Sequence, residues 1–324
     1  MRRVVVGIAK AAMFSLLSNP IRLRRRLEEL AAENVSVILN LHRVAPDDRS
    51  AYQPLSPELF SELLEYASRH FRVCRICELD EEGAGSARPD LVLSFDDGYK
   101  DFIEIAAPIL ARFKISANQN IIPKCVETGL PPLNVMAQDF VGRAPRELVE
   151  GLDIPGFAKA GAGDLGWRLS RFLKFRSQAE QSALAEHLIP QFQRLEGFRP
   201  TAMMSLDEIR QIQGEHELGA HSYEHSSMEF ETDEFLRADV RRCRAYFRDK
   251  LSAEATIYAF PNGSCRPGQE AIVLSEGVEK VLLVGETFGG LGAVLSRFTF
   301  DARSRGEVRY KATGRRELIR QGAV

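Results

Sequence analysis

Short apolar runs alternate with segments whose apolar residues recur at helical spacing along most of the chain. Val35 to Leu41 reads as a short buried strand, and Pro57 to His70 puts Leu59, Phe60, Leu63, Leu64 and Ala67 on one helical face. Leu91 to Phe95 is the next strand. A helical pattern follows through Phe102, Ile105, Ala106, Ile109 and Leu110, then a strand over Asn118 to Ile122. Ser205-Leu206-Asp207-Glu208 has the form of a capping box opening a helix, and Asp233 to Lys250 reads as another helix. Glu217 to Ala220, Thr256 to Phe260, Val281 to Val284 and Leu295 to Phe300 supply further short strands. Repeated strand–helix alternation predicts a parallel sheet covered by helices. The span of about 131–200 breaks this rhythm. It holds helical stretches, the single tryptophan Trp167 and Gly161-Ala162-Gly163, and reads as an insertion over or beside the barrel mouth.

Composition changes little in that picture. The chain has 324 residues, 44% hydrophobic and 27% charged, with a formal net charge of −2, so no global charge argues for nucleic acid. Basic residues do crowd the start, where Arg22, Arg24, Arg25 and Arg26 all precede the first acidic residue, Glu28. That segment is either an amphipathic helix resting through residues 1–30 on an anionic membrane surface or a helix packed on the outside of the domain. It lacks a clear cleavage site, and no apolar run approaches the roughly 18 residues of a membrane span. The five cysteines are scattered, and Cys74 and Cys77 sit on what reads as a half-exposed strand, so they are structural thiols. A cytoplasmic protein is expected.

The chemistry is concentrated in three strings. Ser94-Phe95-Asp96-Asp97-Gly98 sets two adjacent carboxylates and a glycine after Leu91-Val92-Leu93. Alone, it is a turn. His221-Ser222-Tyr223-Glu224-His225 offers two imidazoles at i and i+4, which alone are a polar pair on a solvated helix face. Together, one carboxylate and two histidines make a three-ligand set that leaves a metal an open position for water. The other carboxylate is then free to act as a base beside it. Tyr258-Ala259-Phe260-Pro261-Asn262-Gly263 reads as a substrate-binding turn. Each string follows the carboxyl end of an expected strand, where a β/α barrel builds its site.

In this order the strings resemble the polysaccharide deacetylase family (NodB homology, carbohydrate esterases), over about residues 35–315. The resemblance implies a distorted, incomplete (β/α) barrel of about seven parallel strands. It would be flanked by a basic helical segment at 1–34 and a tail at 316–324, with the helical insertion at about 131–200. It implies Asp97, His221 and His225 as ligands of one divalent metal, zinc above all, with cobalt, nickel or iron also suited to the set. Asp96 would be the base. Phe260, Pro261, Asn262 and Gly263 would form a wall of the substrate groove, with a backbone N–H there completing an oxyanion site.

Two departures from the family pattern matter. Tyr258-Ala259 stands where the family has an arginine, and Arg297 resembles a late arginine of some bacterial exopolysaccharide deacetylases. Arg297 is thus a candidate to orient Asp96 or line the substrate site, with a surface arginine on an edge strand as the alternative. No histidine follows His225 to supply the family's late acid. Leu39-Asn40-Leu41-His42 instead closes the first strand. This layout resembles the circularly permuted deacetylases, including those acting on poly-N-acetylglucosamine, and implies His42 as the acid. The implied function is metal-dependent removal of an acetyl group from an N-acetylated sugar in surface glycan assembly. A carbohydrate O-deacetylase and a catalytically weak glycan-binding relative are the alternatives.

Overall fold

Val37–Leu41 (β1) is buried at every position, as a strand with cover on both faces must be. The computed structural model describes residues 13, 14, 16–79, 88–159, 164–285 and 292–313. The further strands are Arg72–Val73 (β2), Asp90–Phe95 (β3), Asn118–Ile121 (β4), Glu217–Ala220 (β5), Ile257–Ala259 (β6), Lys280–Val284 (β7) and Val294–Thr299 (β8). All pairings between them are parallel. β1 pairs with both β3 and β8, so seven strands close on themselves in the order β1-β3-β4-β5-β6-β7-β8. The barrel expected from the strand–helix rhythm is therefore present, and it is closed. Its seam is narrow, with Leu39 opposite Phe298 and Asn40 opposite Thr299. The extra strand, β2, pairs only with the first residues of β3, where Arg72 grips Asp90 with two hydrogen bonds of 2.6 Å each.

Helices wrap the outside for the reasons their sequences give. The helix Pro57–His70 starts at the Ser56 cap and Pro57, and it buries Phe60, Leu63, Leu64 and Ala67 against the barrel. The capping box of Ser205 and Glu208 opens Leu206–Ile212. Cys74 and Cys77 do not lie on a strand. The chain leaves β2 after Val73, because the Glu217 carboxylate accepts from the Ile76 and Cys77 N–H groups and draws the segment into a 3₁₀ turn. Both thiols are free, Cys74 buried and Cys77 exposed.

The segment between β4 and β5 carries the helices Leu133–Arg143, Leu165–Lys174 and Gln178–Phe192, which share an apolar core of their own around Phe140, Leu169, Leu173, Leu188 and Phe192. It is tied to the barrel loops where Arg143 meets Asp48 at 2.6 Å. The N-terminal helix Pro20–Ala32 packs on the outside of the domain through Leu23 and Leu30, which join the main core, with Arg26 over the Tyr310 ring. Residues 1–12, Gly161 to Gly163 and the tail 316–324 lie outside the described residues, so the membrane-surface reading of the first segment has no structural counterpart there. No helix among the described residues is long and apolar enough to cross a membrane.

Candidate metal centre and active site

β3 delivers the carboxylates. The Asp96 N–H still bonds to the Leu41 carbonyl at 3.0 Å, and the chain then turns through Asp97 (φ 76°) and Gly98 (φ 85°), both left-handed. Aspartate and glycine are the types that tolerate this backbone, so the string is a turn, and the turn presents both carboxylates at the end of β3. β5 delivers the imidazoles. The spacing from His221 to His225 is not a helical turn, contrary to the i, i+4 reading. The segment is a loop with Ser222 at φ 57° and His225 at φ 63°. Left-handed non-glycine residues cost energy and persist where their surroundings fix them. Here Asp239 does so, from the helix Asp233–Tyr246. Its buried carboxylate accepts from Ser222 Oγ at 3.0 Å, the Tyr223 N–H at 2.9 Å and Tyr258 Oη at 2.8 Å.

Asp97, His221 and His225 meet in one buried cluster. Asp97 Oδ1 lies 3.4 Å from Nε2 of each histidine and has no hydrogen-bond partner among the described residues, whereas Oδ2 accepts from Tyr99 Oη at 2.7 Å. His221 Nδ1 donates to the Ala259 carbonyl at 2.9 Å, which turns the Nε2 lone pair toward Asp97. Burial drives the His225 imidazole down to about 3, against the attraction of Asp97, so this ring is neutral at pH 7 and a lone-pair donor. A buried carboxylate oxygen left without a donor is costly. Ligands held about 2.0–2.1 Å from a tetrahedral ion lie about 3.4 Å from one another. The donor set, its spacing and the orphaned oxygen therefore fit a divalent metal.

Asp96 has a different environment. Arg297 spans both its oxygens, at 2.6 and 2.9 Å, while Asn120 donates to Oδ1 at 2.8 Å and Asn40 to Oδ2 at 2.7 Å. Burial pushes the Asp96 carboxyl up, but the Arg297 charge outweighs it and holds the group well below the usual carboxylate range. Arg297 is fully buried and also donates to Ser94 Oγ at 3.0 Å. It is thus no surface arginine, and it does not line the cavity above the site. It holds Asp96 from β8, in place of the arginine missing at Tyr258-Ala259.

A cavity of about 270 Å³ opens above these groups, lined by His42, Tyr52, Asp96, Asp97, His221, His225, Lys174 and Asn262 among others. His42, just past β1, joins the carboxylates and the two histidines there, with its ring edge-on to Tyr52 at 6.1 Å between centroids. Burial lowers its pKa, and Asp97 and Asp96 oppose the shift. The expected groove wall needs correction. Phe260 is fully buried in the main core, edge-on to Tyr258, and Pro261 is buried too. Gly263 (φ 66°) lies against Val284 and does not line the cavity either. Only Asn262 of that turn reaches it, with its amide donating to Ser227 Oγ at 3.0 Å. Apolar packing on the barrel wall takes the positions that the string suggested for substrate.

Sequence reasoning missed Tyr99, Asn40, Asn120, Asp239 and Lys174 as site residues. Asp239 did carry a signal, since it shares a helix face with Leu236, Val240 and Cys243, where a polar residue needs a reason.

A closed parallel barrel with two carboxylates and two histidines at the carboxyl-end rim has the layout of a barrel hydrolase. Residues 180–279 match the family model described as polysaccharide deacetylase, which bears out the family resemblance; the stretch takes in His221, His225 and Asn262. No curated protein sequence matches the chain. Among solved structures, the chain is similar in fold to the Streptococcus pyogenes deacetylase PplD in complex with acetate, with a TM-score of 0.56 and 14% identity over 82% of this chain and 92% of that one. IcaB from Ammonifex degensii gives a TM-score of 0.54 and 17% identity over 86% and 97% of the two chains. A de-N-acetylase from Aggregatibacter actinomycetemcomitans gives 0.52 and 14% over 82% and 95%.

Proposed function

We propose that the chain hydrolyses the acetamide of an N-acetylated sugar, releasing acetate and leaving a free amine. The observation that carries this reading is the buried Asp97 Oδ1, without a hydrogen bond, at 3.4 Å from two imidazole nitrogens in a cavity shared with Asp96 and His42. Asp97, His221 and His225 would hold a divalent metal, with zinc best suited to the set. Such an ion polarises an acyl oxygen and makes water a stronger nucleophile.

The protein's own groups divide the remaining work. Asp96 Oδ2 lies 3.8 Å from His221 Nε2, so its charge faces the reacting centre, and it is the base in this reading. His42, across the cavity, donates the proton that the leaving amine needs. One observation favours a second assignment of the proton work. A carboxylate has about four lone-pair sites. Asp96 already accepts from four donors: two from Arg297, one from Asn40 and one from Asn120. In that assignment Asp96 keeps a fixed negative charge, and His42 both takes and returns the proton.

The test is acetate release from matched N- and O-acetylated glycans by protein stripped with chelator and then reloaded with zinc. Release from the N-acetylated series, lost on stripping and restored on loading, with about one metal ion per chain, is expected. Release only from O-acetyl esters would make the chain an esterase. Chelator-insensitive release would remove the metal from the reading, and binding without release would make it a glycan-binding protein.

A further inference from the structure

Lys174 stands inside the site cavity with no ion pair among the described residues. It ends the helix Leu165–Lys174, in the segment between β4 and β5, and its side chain is half-buried in the cavity with Asp97, His225 and His42. It is near enough for its charge to act on His225 and His42 and for Asp97 to act on it. Among the described residues its ammonium makes no hydrogen bond or ion pair.

The other charges of the cavity are matched, apart from that of Arg303 at its rim. Arg297 neutralises Asp96. Arg43 pairs with Asp101 at 2.9 Å and with Asp48 at 3.0 Å. Asp301 pairs with Lys311 at 2.6 Å. Asp97 faces two imidazoles and would be more than balanced by a divalent ion.

Helix capping does not explain the lysine either. A lysine at a helix C-terminus ordinarily serves the last carbonyls. Here Arg176 takes the Phe172 carbonyl at 2.6 Å, and Ser227 Oγ donates to the carbonyl of Lys174 itself at 2.5 Å. A cation brought into a cavity without its counter-charge loses hydration for nothing, unless a ligand supplies the anion.

We propose that Lys174 receives an anionic group carried by the substrate sugar, a carboxylate or a phosphate ester close to the acetamide. The inference rests on the deacetylase reading and narrows its substrate class to anionic acetamido sugars. Arg303, exposed at the rim of the same cavity with its guanidinium donating to the Pro54 carbonyl, marks the side from which a second anionic unit would be met.

The test uses full-length protein and three ligands that share one acetamido ring: N-acetylglucosamine, its 6-phosphate and its 6-carboxylate. Binding is measured calorimetrically on stripped protein, and acetate release on zinc-loaded protein. Wild type should bind at least one of the two anionic sugars about ten- to hundredfold more tightly than the neutral one, as expected for a hydrogen bond to a charged group. Whichever anion is preferred identifies the source. Lys174→Met should bring that ratio to about one, and Lys174→Arg should restore most of it. A wild type without preference for either anion overturns the proposal. So does a Lys174→Met protein that weakens neutral and anionic sugars alike, which would place the lysine on the acetyl group common to all three. Failure of the deacetylase reading shows separately, as intact binding ratios with no acetate released from any ligand.

Discussion

Asp96 and Asp97 are neighbours in sequence and chemically opposite. Asp97 keeps an oxygen free, whereas both oxygens of Asp96 are fully engaged. Removing the Asp96 countercharge should therefore be severe. Arg297→Met leaves a buried carboxylate unpaired, at a cost of about 3–5 kcal/mol. A carboxyl held below its unfolded value contributes stability above the unfolded pKa of 3.8 and loses it as pH falls through the lowered folded value. In Arg297→Met that folded value rises, so the acid limb of a pH–stability curve should move to higher pH, with metal content unchanged. An unmoved limb would mean that Arg297 does not set the charge of Asp96.

Asp96→Asn keeps the shape and should lower the rate by about 10²–10⁴ if the group is the base. A smaller loss favours the fixed-charge role. His42→Ala should cost a comparable factor and leave the metal in place, and an amine leaving group should suffer more than an activated ester, which needs no acid. Equal losses on amide and ester would remove His42 as the acid. The four residues of the two strings were legible because each string is local in sequence. Arg297 could be named as a candidate to orient Asp96 only through the family resemblance, because its partner lies 201 residues away and barrel closure brings the two together.

The strands supply more than a frame. Gly219, in β5, lies against the side chain of Asn120, and a Cβ at this position would collide with Asn120 Oδ1 and press on Ile257. A glycine in a strand interior ordinarily weakens it and marks a close approach. Here the close approach is that of the amide that donates to Asp96. Gly219→Ala should therefore lower the melting temperature by several degrees, as about 1–3 kcal/mol of overpacking does, and it should also cut activity. Adding Asn120→Ala should recover stability and leave activity low. Recovery of both would show that the Asn120 amide has no part in the site.

This is also where the sequence was hardest to read. Asn118-Gln119-Asn120 in a buried strand looks like a departure from apolar β patterning, and only the structure shows Asn118 and Asn120 in one polar network with Ser94. The i, i+4 spacing of the histidines likewise gave no hint of a loop, since the left-handed angles of Ser222 and His225 depend on Asp239, which comes later in the chain.

The strand–helix rhythm sufficed for the barrel because parallel strands buried on both faces read as apolar runs joined by amphipathic helices. The segment between β4 and β5 was recognisable by its break in rhythm, but its reach into the cavity through Lys174 was not, since nothing local distinguishes that lysine from others near a helix end. Closure at β1 and β8 has one further consequence, for the order in which the protein is made. During synthesis Asp96 emerges long before Arg297, so a nascent chain carries the carboxylate with no cation to meet it. Until β8 docks beside β1, that charge must stay hydrated or protonated, and the barrel wall around it cannot become dry. Docking of β8 therefore closes the barrel and completes the electrostatics around Asp96 in a single event, and in the deacetylase reading a ribosome-bound chain that still lacks β8 should be inactive even with both carboxylates and both histidines already made.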